Sequence, residues 1–143
     1  MEKITVSAER VINTLREVAS EHPDYVYETP EALRDSNYGE RECWYVHPYP
    51  AGPVAGCIVG QVLVRLGVPL DVLGEYEHRP ARGVVPALLD ITGLASSNAH
   101  TMLAAAQSAQ DGAADYGDYE DGTRIPWGDA VAYAETVAGT VQL

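Results

Sequence analysis

Val54-Ala55-Gly56-Cys57-Ile58-Val59-Gly60-Gln61-Val62-Leu63-Val64-Arg65-Leu66 is the stretch on which the fold turns. Only Gln61 and Arg65 interrupt its apolar run. A helix apolar on nearly every side has to be covered on most of them, which predicts a central helix over 54–66, stopped by Gly67 and Pro69. In the preceding segment, Pro48, Pro50 and Pro53 lack backbone donors, so that segment reads as a rigid loop that sets Pro53 at the first helical position. Gly56 and Gly60 share one helical face, each at a propensity cost of about 1 kcal/mol. Another backbone is therefore expected to approach closely there, from this chain or from a second copy. The stretch is too short to cross a bilayer.

Working outward toward the N-terminus, Ser7 precedes Val11, Ile12, Leu15, Val18 and Ala19, a one-faced spacing that predicts a helix over 7–20 with Glu9 in its first turn. Pro23 ends it. Residues 25–28 (Tyr25, Val26, Tyr27, Glu28) and 42–47 (Glu42 to His47) are rich in strand-favouring side chains, and the two are expected to pair as an antiparallel hairpin. Cys43, Tyr45 and His47 would alternate with Trp44 and Val46 across it. The charged stretch 30–40 between them, with a turn at Asn37-Tyr38-Gly39, reads as a loop holding at most one helical turn at 31–34.

Toward the C-terminus, 70–76 reads as a short helical turn and 83–91 as a second segment, with Pro86 in its early turn and Gly93 after it. A helix starting at Ser96 or Ser97 puts Ala99, Met102, Leu103, Ala106 and Ala109 on one face, with Gln107 and Gln110 beside it. Residues 111–122 have no period and read as an acidic loop. Pro126 then opens a terminal helix whose Trp127, Val131, Ala134 and Ala138 face the core, with Gly139 at its end. The fold expected is mainly α, four to five helices around a buried central helix with a small antiparallel β-hairpin, and residues 1–143 form a single domain.

Twenty-one Asp and Glu against nine Lys and Arg give a formal net charge of −12. Such a chain lacks the clustered cations that bind nucleic acid or anionic lipid, so neither nucleic acid nor membrane is expected as a partner. The surplus charge suits solubility, docking on a basic protein, or mimicry of DNA against a nucleic-acid-binding protein. Only two cysteines, Cys43 and Cys57, and no basic-then-apolar start point to a cytoplasmic protein rather than a secreted disulfide scaffold.

Tyr25-Val26-Tyr27, Cys43-Trp44-Tyr45, Gly56-Cys57-Ile58-Val59-Gly60, Leu66-Gly67-Val68-Pro69-Leu70-Asp71, and Gln107 with Gln110-Asp111-Gly112 ahead of Trp127 occur in that order. In this order and over most of its length the chain resembles small uncharacterised proteins of actinobacteria and of the phages that infect them. An Ala-, Val-, Gly-, Arg- and Asp-rich composition with one Lys and no Phe agrees with a GC-rich genome. The resemblance implies a source and a shared fold. It transfers no activity and no catalytic residue.

Three constellations carry chemistry. Cys43, His47 and Cys57 offer zinc-type ligands but lack a fourth and the usual paired spacing, and both cysteines also read as small buried hydrophobes. Cys57 near a helix start, with His47 or His100 as base, is a possible nucleophile, opposed by its apolar surroundings. Asp115, Asp118, Glu120 and Asp121 offer oxygen ligands for calcium, without the spacing of a calcium-binding loop. No phosphate-binding glycine loop or serine-hydrolase elbow is present, so no cofactor, metal or catalytic residue is assigned. The function expected is that of a small acidic accessory protein that binds a host protein without catalysis. Trp44 and Tyr49 beside the proline loop, and Asp115, Tyr116, Asp118 and Tyr119 in the acidic loop, are its candidate contacts. The alternatives are a DNA-mimic inhibitor, and a small enzyme or ligand-binding protein using the Cys43, His47 and Cys57 region.

Overall fold

A computed structural model describes residues 1–30, 33, 44–48, 52–113 and 122–139. Among these residues the chain is mainly α, with six helices and a small antiparallel two-stranded sheet. Strand β1 (Ile4–Ser7) leads directly into helix α1 (Ala8–Glu21). Ser7 is the N-cap: its Oγ accepts from the Arg10 N–H at 3.1 Å, and the expected face of Val11, Ile12, Leu15, Val18 and Ala19 is buried.

The central apolar stretch divides. Val54–Ala55 forms β3, Cys57 becomes the N-cap, and helix α2 runs only over Ile58–Arg65. The reason lies in the ladder: β2 (Val46–His47) pairs with β3 in antiparallel register, Val46 opposite Ala55 and His47 opposite Val54. The N–H groups of Gly56 and Cys57 then extend the pairing to the carbonyls of Tyr45 (2.8 Å) and Trp44 (3.0 Å). An apolar run alone does not separate a short strand from a buried helix, and here it holds both. Pro53 therefore precedes a strand, and Val54 is 44% exposed.

The hairpin exists with a different partner from the one expected. Residues 25–28 form no strand, and two of their carbonyls are engaged elsewhere. The Tyr25 carbonyl accepts the Trp127 N–H at 2.9 Å, and the Tyr27 carbonyl accepts from the Arg124 guanidinium at 3.0 Å. The expected alternation along the strand holds: Tyr45 and His47 point inward, while Trp44 and Val46 are half-buried.

Helix α3 (Leu70–Gly74) is followed by α4 (Ala81–Leu88), which starts two residues earlier than expected behind Pro80. Pro86 consequently lies in its second turn, where it denies the Arg82 carbonyl its helical donor. The chain then becomes β4 (Leu89–Thr92), which pairs in parallel with β1, Ile4 opposite Leu89 through Ser7 opposite Thr92. Val6 and Ile91 turn inward while their neighbours face outward, the period of a half-covered strand pair.

Helix α5 (Ser96–Gln110) packs lengthwise on α6 (Trp127–Ala138), with Ala99, Ala106 and Ala109 on one and Ala130 and Ala134 on the other buried, so that the two backbones approach closely. Pro126 caps α6 rather than opening it, and Gly139 ends it at φ 79°. The main cluster of buried side chains extends from Val6 to Ala134 and draws on all six helices. Arg65 of α2 binds Glu17 and Glu21 of α1, and Arg16 of α1 binds Glu135 of α6. Among the described residues no helix is long and apolar enough to cross a membrane.

The close approach expected at Gly56 and Gly60 comes from this chain's own strand. A methyl group at Gly60 would sit 2.6 Å from the Tyr45 carbonyl oxygen, and one at Gly56 would strike the Trp44 carbonyl and the His47 ring. Gly83, inside α4, has nothing within 4 Å of that position. Gly60→Ala is expected to lower unfolding free energy by about 2–3 kcal/mol through overpacking. Gly83→Ala should raise it by about 0.5–1 kcal/mol through backbone entropy. Urea unfolding of the two variants checks both signs.

Candidate functional site

Helices α2 and α4 both begin at buried residues, Ile58 and Ala81, without a side-chain cap of their own, since Cys57 and Pro80 occupy their N-cap positions. Helix α5 supplies what is missing. Gln110 Oε1 accepts from the Ile58 N–H at 2.8 Å and from Trp127 Nε1 at 3.0 Å, while its Nε2 donates to Asp111 Oδ1 at 2.9 Å. Gln107 Oε1 accepts from the Ala81 N–H at 2.7 Å, and its Nε2 donates to the Tyr45 hydroxyl at 3.0 Å. That hydroxyl in turn donates to the Arg79 carbonyl at 2.6 Å. Both glutamines are buried with amide oxygen and nitrogen paired, the condition under which interior polar groups are tolerated.

The strand at 44–47 is bound on both edges. One edge pairs with Gly56 and Cys57; on the other, the Glu77 carboxylate accepts from the N–H groups of Tyr45 (2.7 Å) and Val46 (3.1 Å). Burial pushes the Glu77 carboxyl above its ordinary range, against the lowering effect of those two N–H bonds. The Tyr27 hydroxyl accepts from the Trp44 N–H at 2.9 Å and lies 2.8 Å from His47 Nε2, to which it can donate its proton. Burial lowers the His47 pKa from 6.5 to about 4, so its imidazole is neutral near pH 7.

These residues answer the sequence expectations unevenly. Cys57 is fully buried at the start of α2 and does not line the cleft of about 260 Å³ into which His47 faces beside Tyr25, Gln61 and Trp127. Cys43 lies outside the described residues, as do Tyr49, Asp115, Tyr116, Asp118, Tyr119, Glu120 and Asp121. Trp44 packs edge-on against the His78 ring, centroids 4.4 Å apart, and is half-buried rather than presented as a free anchor. Among the described residues no three His, Cys, Asp or Glu side chains gather as a metal site.

A further concavity lies elsewhere, between α4, α5 and α6. It is an open groove of about 910 Å³, with Pro80, Arg82 and Pro86 on one side, Thr101, Ala104, Ala105 and Ser108 along α5, and Tyr133 and Val137 opposite. His100 lines it too. His100 and Ser108 are separated by roughly 12 Å along α5, two turns and more, so they do not form a nucleophile and base pair. Sequence reasoning missed this groove because three helices create it jointly.

No known protein family, curated protein or solved structure matches the chain. The site is therefore read from its own geometry.

Two outcomes are expected. Gln110→Leu leaves the Ile58 N–H and the Trp127 indole without an acceptor and should cost about 2–4 kcal/mol in urea unfolding; a loss below about 1 kcal/mol would show that both donors find other acceptors. His47 is depressed in the folded state, so its contribution to stability is complete above pH 6.5 and is lost as pH falls toward 4. At about 1.4 kcal/mol per unit the loss reaches at most about 3 kcal/mol. Glu77, raised in the folded state, acts with the opposite sign, its contribution falling as pH rises. Between pH 6.5 and 4 the wild type should lose more stability than His47→Gln, and equal losses would contradict a buried neutral imidazole.

Proposed function

We propose that this chain is a non-catalytic binding protein that docks on another protein through the groove between α4, α5 and α6. The observation that carries the reading is the groove itself, open along its length, walled by proline, alanine and valine side chains and edged by arginine, imidazole and hydroxyl groups. This mixture of apolar and polar lining is what a recognition surface uses, while His100 and Ser108 are too far apart along α5 for a shared proton transfer. The resemblance read from the sequence motifs would make that partner a host protein in the bacterial cytoplasm.

Ser108 is exposed on α5 and borders the groove, so Ser108→Trp obstructs it without touching the core. Affinity capture from an actinobacterial lysate should recover a host protein with the wild type and about tenfold less of it with Ser108→Trp. Equal recovery with both chains, or no recovery with either, would contradict docking through this groove.

A further inference from the structure

Resting on that reading of the groove, we propose that the partner presents an acidic segment carrying a large apolar side chain. The protein's net charge of −12 points the other way, toward a basic partner, and the groove reverses it locally. Arg82 and His100 stand in its wall, and no Asp or Glu is among the described residues that line it. An adjoining cleft of about 190 Å³, which shares Pro80, Gln107, Ser108 and Ala113 with the groove, adds His78 and Arg79. Its one acid, Asp111, already accepts from Gln110 Nε2.

Three other arginines hold partners within the chain: Arg16 on Glu135, Arg65 on Glu17 and Glu21, Arg124 on the Tyr27 carbonyl and over its ring. Arg82 is exposed, and among the described residues it has neither an ion pair nor a side-chain hydrogen bond. A guanidinium that pairs with no carboxylate among the described residues leaves its planar donor fork for a carboxylate from outside. Elsewhere the protein's own charge repels an acidic segment, which steers that segment to the α4–α6 groove. There Ala104, Ala105 and the half-exposed Val137, which line the groove together with Arg82, offer the apolar side chain its seat.

A random peptide library selected against the intact chain tests this directly. Selected peptides should be rich in acids around one large apolar residue. Their affinity should fall about tenfold or more with Arg82→Glu, weaken as salt is added, and be lost with Ser108→Trp. Basic or uncharged peptides that still lose binding with Ser108→Trp would overturn the acidic partner and leave the groove as a docking surface. Peptides indifferent to both variants, or no selected peptide at all, would overturn both. Sedimentation that shows a dimer broken by Val137→Asp would assign the groove to a second copy of the chain and likewise overturn the acidic partner.

Discussion

Two amide side chains on one helix determine where two others begin. The first N–H groups of any helix have no intrahelical acceptor, and at a surface water or a capping side chain satisfies them. Ile58 and Ala81 start α2 and α4 in the interior, behind a cysteine and a proline that cap neither. Gln110 and Gln107, three positions apart on α5, reach them across the core. Each glutamine is itself fully engaged, through Trp127 and Asp111 for one and Tyr45 for the other, so the network adds no orphaned amide to the interior. Helices α2, α4 and α6 and the strand at Tyr45 are thereby indexed to a single element.

The glycines follow from the same constraint. With α2 starting at Ile58, Gly56 remains in the extended segment beside strand 44–47, and Gly60 lies under the Tyr45 carbonyl. A side chain at either position would push the strand away from α2. Glu77 closes the strand's other edge, where no further strand lies among the described residues, a carboxylate acting in place of a neighbour's carbonyls. The groove on the far side of α5 inherits its shape from this arrangement, since Gln107 fixes the start of α4 and so the place of Arg82 and Pro86.

Local signals were legible where sequence and neighbourhood agree. Ser7 and the spacing behind it define α1; Ala99 to Ala109 define α5; Pro126 and Gly139 bracket α6. The apolar run from Val54 was read as one helix because nothing in its periodicity marks the change from ladder to helix at Cys57. Residues 25–28 have strand propensity, yet their carbonyls serve α6 and Arg124. The parallel pairing of Ile4–Ser7 with Leu89–Thr92 was invisible, because each strand is only a few residues long and both adjoin helices. The glutamines did leave a trace, two amides at the margin of an apolar helix face. Their partners are remote in sequence, and the groove beyond them has no sequence signature, being assembled from three helices.

The dependence of α2 and α4 on α5 is most directly tested by native-state hydrogen exchange, read by NMR at the backbone amides of Ile58 and Ala81. First-turn amides ordinarily exchange readily, by fraying at the helix end. Held by Gln110 and Gln107, these two should exchange only through openings close in free energy to global unfolding, alongside Leu63 and Leu103 in the buried helices. Exchange at the rate of exposed first-turn amides would contradict the capping of two helices by one.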